Sequence, residues 1–241
     1  MRFATQAMVV CALFTASAAL AEDLKPLMAV PGKQLMSEDF SGGSVPAAWK
    51  GLKGKWSVED GALKGVRLAA DNHPGVVGVD LKNTNAIFQF DFKLGANGQG
   101  GSFSLNDSHG HVCRVNITSK GFALLKDGSK TDKSDAGKTL DTCAADFKPG
   151  QAYTMMVEVV GDEMVAHIDA QHYAIGSDAK INREKTIVRF TVVGDDLVLD
   201  NVKIFEATAS PDWTQAKAKL QASHPAPLEA PAPKGKKGAK K

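Results

Sequence analysis

Phe88-Gln89-Phe90-Asp91-Phe92-Lys93-Leu94 puts an apolar side chain at every second position and a polar one between. Successive side chains of an extended strand point to opposite faces, so the aromatic set and Leu94 share one side and Gln89, Asp91 and Lys93 the other. A strand of that kind belongs to an antiparallel sheet packed on a core from one side only. The period recurs downstream. Phe103 and Leu105 alternate with Ser102, Ser104 and Asn106; Cys113, Val115 and Ile117 with Arg114 and Asn116; and Met155, Val157 and Val159 with Thr154, Met156 and Glu158. Between such runs lie Asp60-Gly61 and Gly161-Asp162, dipeptides that tolerate the positive φ of tight hairpins. No stretch before residue 210 joins helical periodicity to caps. The pattern predicts an all-β domain, a two-sheet antiparallel jelly-roll sandwich.

The flanks read differently. Residues 1–21 carry Arg2, an apolar run from Met8 to Leu20 and small residues at Ala19 and Ala21, the layout of a secretory signal peptide cleaved near Ala21. The expected location is therefore secreted or periplasmic, in a bacterial setting. No later segment approaches the roughly 20 apolar residues that span a bilayer. Residues 22–36 form a lead-in, 37–207 the sandwich and 208–224 a short helix, with Ser210 as N-cap before Pro211 and Trp213 docking it. Residues 225–241, rich in Pro, Ala and Lys, are expected to be a disordered basic tail that either contacts an anionic surface or only aids solubility. The tail holds five lysines against Glu229 and Arg2 leaves with the leader, so the net +2 of the whole chain becomes −3 for residues 22–224. A mildly acidic body argues against a nucleic-acid surface.

Cys113 and Cys143 remain after the leader. In an oxidising compartment they would make one disulfide, worth on the order of 3 kcal/mol by loop closure, pinning the loop Lys126–Lys148; two buried thiols are the alternative.

Asp39-Phe40, Trp49, the run Trp56-Ser57-Val58-Glu59-Asp60-Gly61-Ala62-Leu63 and the closing Leu199-Asp200-Asn201-Val202-Lys203-Ile204 resemble the concanavalin A-like lectin and glucanase superfamily. Within it the chain is most similar to the 3-keto-disaccharide hydrolase domain family, loosely grouped with family 16 glycoside hydrolases. The resemblance spans most of residues 37–207. It implies that the first and last strands are neighbours and that the protein binds or processes carbohydrate. The Glu-x-Asp-x-x-Glu run of family 16 glucanases has no counterpart, so laminarinase-like retaining hydrolysis is not expected.

Alternation also supplies a site. With Phe90, Phe103, Val115, Val157 and Ile168 facing the core, Asp91, Asn106, Arg114, Asn116, Glu158, His167 and Asp169 would share the opposite face as a saccharide groove. Asp91 and Glu158 are the carboxyl pair predicted to act as catalytic acid and base; hydrolysis needs the two about 5 to 9 Å apart. Arg114, Asn106, Asn116, His167 and Asp169 would bind substrate, Arg114 by a bidentate fork. An ordinary solvated face, in a lectin-like or envelope-associated structural module, is the competing reading. Trp49 and Trp56 are expected in the core rather than stacked on a sugar. No cofactor is expected. His109, His111 and Asp107 form too weak a motif to assign a metal, and Asn106, Asp107 and Asp200 are unspecific ligands for calcium.

Overall fold

The computed structural model describes residues 24–97 and 99–229. The expected leader and the last part of the tail lie outside them.

Among the described residues, fifteen strands and one α-helix follow in order. They are β1 (Ala29–Glu38), β2 (Trp49–Lys53), β3 (Lys55–Glu59), β4 (Ala62–Val66), β5 (Gly75–Asn83), β6 (Ala86–Leu94), β7 (Gly101–Asp107) and β8 (Gly110–Thr118). The chain continues through β9 (Gly121–Lys126), β10 (Lys138–Ala144), β11 (Ala152–Val160), β12 (Glu163–His167), β13 (Tyr173–Ser177), β14 (Lys185–Val192), β15 (Leu197–Ala209) and α1 (Trp213–Ala222). One sheet runs β13-β12-β11-β6-β15-β4-β3, with β1 also paired to β15; the second runs β10-β9-β8-β7-β14-β5-β2. All pairings are antiparallel, and β1 lies beside β15 with Glu38 opposite Val202, so the first and last strands are neighbours, as expected for a jelly-roll sandwich.

The opening alternation builds the core. Phe88, Phe90, Phe92 and Leu94 of β6 are each 1% exposed and face the second sheet. Phe90 meets Phe103 of β7 at 5.5 Å and Phe190 of β14 at 5.0 Å between ring centroids. Burying such a side chain contributes roughly 1.5–3 kcal/mol, and each aromatic pair about 0.5–1.5 kcal/mol more. Trp49 joins this cluster, edge-on to Phe40 at 5.2 Å and stacked on Phe190 at 6.1 Å. Trp56 lies half-buried over Gly65, where an added Cβ would come within 2.3 Å of the indole ring. The β3–β4 hairpin turns through Asp60 and Gly61 at φ of 53° and 76°, the left-handed pair that its two-residue loop demands.

Three expectations are corrected. Cys113 and Cys143 are both free and buried. Cys113 on β8 pairs with Lys126 and Cys143 on β10 with Phe122, so all of β9 lies between them. Two strand spacings alone put them about 10 Å apart, beyond the roughly 7 Å reach of a disulfide. Burial pushes the Cys113 thiol up to about 12 and the Cys143 thiol up to about 11. The presumed loop Lys126–Lys148 contains strand β10. Residues 225–229 are also placed: the Ala144 N–H donates to the Ala226 carbonyl at 2.8 Å and the Leu228 N–H to Thr142 Oγ1 at 3.0 Å.

Helix α1 stands where expected, although Asp212 rather than Ser210 occupies its N-cap. Trp213 docks it through Met28 and Val165, with indole Nε1 donating to Glu163 Oε2 at 2.6 Å.

Candidate functional site

The second sheet turns a polar outer face to a groove of about 530 Å³. Its floor is a ladder set by strand register. Across the middle run Arg114 (β8), Ser104 (β7), Arg189 (β14), Gly78 (β5) and Lys50 (β2), each directly opposite the next. One row along lie Asn116, Ser102, Thr191 and Val76; on the other side lie His111, Asn106, Ile187 and Asp80. Rows two residues apart stand about 7 Å from one another. His73 and Pro74 before β5, Gln99 before β7 and Lys130 after β9 wall the groove. Gly78 keeps the floor low: a Cβ there would lie 2.8 Å from Arg189 Cγ.

The polar atoms of the middle row are incompletely paired. Ser104 is 1% exposed, and its hydroxyl has no hydrogen-bond partner among the described residues. The Nε atoms of Arg114 and Arg189 are likewise buried without partners among those residues. The Arg114 guanidinium pairs with Asp127, whereas Arg189 faces no carboxylate among the described residues. Asn106 Oδ1 meets His111 Nδ1 at 2.9 Å. Burial, reinforced by Arg114, Arg189 and Lys130 and opposed by Asp127, holds the His111 imidazole below its ordinary pKa. Among the described residues, the carboxylates at this face are Asp127, bound to Arg114, and Asp80, bound to Lys50 at 2.6 Å. They flank opposite margins, about four strand spacings or 19 Å apart, which is too far for two carboxyls to share one glycosidic bond.

Only three of the seven predicted site residues, Arg114, Asn106 and Asn116, come together here. Glu158, His167, Asp91 and Asp169 belong to the first sheet and its hairpins, on the opposite side of the sandwich. Glu158 is 0% exposed. Its carboxylate accepts the N–H groups of Leu27, Met28 and Ala29 at 2.8, 2.9 and 2.8 Å, fastening the lead-in across the outer face of the first sheet. His167 is sealed beside it, Nε2 at 3.6 Å from Glu158 Oε1. Asp91 accepts from Thr154 Oγ1 at 2.6 Å and Asn201 Nδ2 at 2.8 Å. It pairs with Thr154 while Glu158 pairs with Ile87, a four-residue offset of about 13 Å. The proposed acid–base pair is thus excluded by burial and by distance. Asp169 closes the exposed β12–β13 turn on the N–H groups of Gln171 and His172, each at 2.7 Å. Asp107 is engaged by Arg183 at 3.0 Å and by the His109 N–H at 2.7 Å, and Asp200 lies on the other sheet.

Arg189, Ser102, Ser104, Thr191 and Gly78 escaped the sequence reading as a group. A signal existed: Val188, Phe190 and Val192 alternate with Ile187, Arg189 and Thr191 with the same period as β6.

Solved structures share the fold of this sandwich. A Bacillus subtilis protein of unknown function with a galectin-like fold superposes at TM-score 0.58 and 11% identity, covering 76% of this chain and 100% of that one. The carbohydrate-binding module CBM66 from Bacillus subtilis gives 0.54 and 14%, over 66% and 96%. SCLam, a non-specific endo-β-1,3(4)-glucanase from family GH16, gives 0.52 and 12%, over 74% and 95%. These identities establish the fold alone. No family model matches the sequence, and no curated protein matches it at a significant level.

Proposed function

We propose that the protein binds a saccharide in the groove over β8, β7, β14 and β5, and does so without two-carboxylate hydrolysis. The ladder of Arg114, Ser104 and Arg189 beside Asn116, Ser102 and Thr191 carries the reading. Guanidinium, amide and hydroxyl groups fixed on rigid strands offer donors and acceptors in the mixture that ring hydroxyls need, in a trough wide enough for a sugar. The concanavalin A-like fold, found in a carbohydrate-binding module and in a glucanase, adds support. Residues 1–21 further support export, so the ligand would be met outside the cytoplasm.

A glycan array probed with the protein, followed by turnover assays on each hit and on a 3-keto-glycoside, tests this. Retention without cleavage is expected, with binding at least about tenfold weaker in the double variant Asn116→Ala, Thr191→Ala. Unchanged binding in that variant would move the site elsewhere, and cleavage of the 3-keto-glycoside would replace the binding-module reading with hydrolysis.

A further inference from the structure

Resting on that reading, we infer that the groove selects an acidic saccharide, seating a carboxylate or sulfate over Ser104 between Arg114 and Arg189. Ser104 is the direct cross-strand neighbour of both arginines, which stand one strand to either side of it. Their Cα atoms are therefore about 10 Å apart, a span that two long side chains close on a single anion. The hydroxyl of Ser104 and the Nε atoms of both arginines are buried donors without partners among the described residues, and all three belong to the same cross-strand row of the floor. The paired oxygens of a carboxylate or a sulfate can accept from them in the bidentate manner that guanidinium forks favour. A neutral sugar would leave one guanidinium facing only hydroxyls.

The net charge around this point is positive, with Arg114, Arg189 and Lys130 against Asp127. Lys130 stands on the rim and Asp127 is consumed by Arg114. His111, one row away, is held below its ordinary pKa by burial and by those same cations. Arg189 therefore brings to the floor a positive charge that no described carboxylate cancels. The body of the chain is otherwise slightly acidic, so an anion would be drawn to this trough rather than to the surface at large.

Calorimetric titration of the whole protein with oligogalacturonate, its fully methyl-esterified form and a sulfated galactan oligomer tests the proposal. At least one acidic oligomer is expected to bind about tenfold or more tightly than the neutral ester, with affinity falling as salt rises. Arg189→Gln should bring acidic and neutral ligands to equal affinity while the melting temperature holds, because Arg189 gives up no ion pair. Which acidic oligomer wins identifies uronate or sulfate as the source. Equal binding of acidic and neutral oligomers would overturn the charge selection and leave the groove standing. Binding of none of them would remove both readings. Acidic binding that survives Arg189→Gln would assign it to another surface, such as the C-terminal lysines, which the variant retains.

Discussion

The two outer faces of this sandwich arise from the same alternation and meet opposite fates. On the second sheet, outward Arg114, Ser104, Arg189 and Asn116 line an open trough. On the first sheet, outward Glu158 and His167 are sealed beneath the lead-in, and α1 covers the neighbouring strands. The difference teaches that period-two patterning fixes whether a residue leaves its own core, and not whether water waits there. A buried carboxylate with three backbone donors is a fastener; an arginine whose Nε has no partner among the described residues, on the floor of an open groove, is where we propose that a ligand sits.

The sharpest way to break the contrast is Glu158→Ala. It leaves the N–H groups of Leu27, Met28 and Ala29 unpaired, each a cost of about 1–3 kcal/mol, so urea denaturation should read a loss of about 4 kcal/mol. Saccharide affinity should stay unchanged. A stable protein with lost binding would reverse the roles assigned to the two faces. Trp213→Ala comes next, expected to cost about 3 kcal/mol through lost packing and the Glu163 bond. Hydrogen exchange should then show α1 opening while β7 and β14 stay protected.

A smaller effect comes from pH. The folded protein holds His111 below its ordinary pKa, so just under pH 6.5 the unfolded chain binds more protons and stability falls as the solution is acidified through that point. His111→Gln should flatten this slope in melts between pH 7 and 5; an unaltered slope would mean that the imidazole feels no such environment. The smallest change is expected from Lys50→Ala, which removes an exposed pair with Asp80 and should shift stability by no more than about 0.5 kcal/mol.

Much of the architecture was legible. The Phe88–Leu94 period and the Asp60-Gly61 turn each express a local preference that the folded chain keeps, and a helix follows Pro211, although Asp212 caps it. What alternation cannot express is which sheet a strand joins, because both sheets have an outward polar side. That is why alternation alone groups Asp91, Glu158, His167 and Asp169 with Arg114, Asn106 and Asn116 on one surface. The bulge where β8 slips against β7 between Leu105 and Asn106 adds a second obstacle, placing Val112 and Cys113 inward in succession. Nothing periodic in Leu24–Ala29 announces that this segment would cross a sheet, since its anchor is a carboxylate about 130 residues away.

The stretch Ala226–Leu228 laid against β10 has its own consequence. β10 is the outermost strand of its sheet, and a bare strand margin is a template for pairing with another copy. By engaging the Ala144 amide and the Thr142 hydroxyl, this stretch occupies part of that margin from within the same chain. Shortening the protein to residue 224 would uncover it, and the expected result is concentration-dependent self-association with the domain itself still folded.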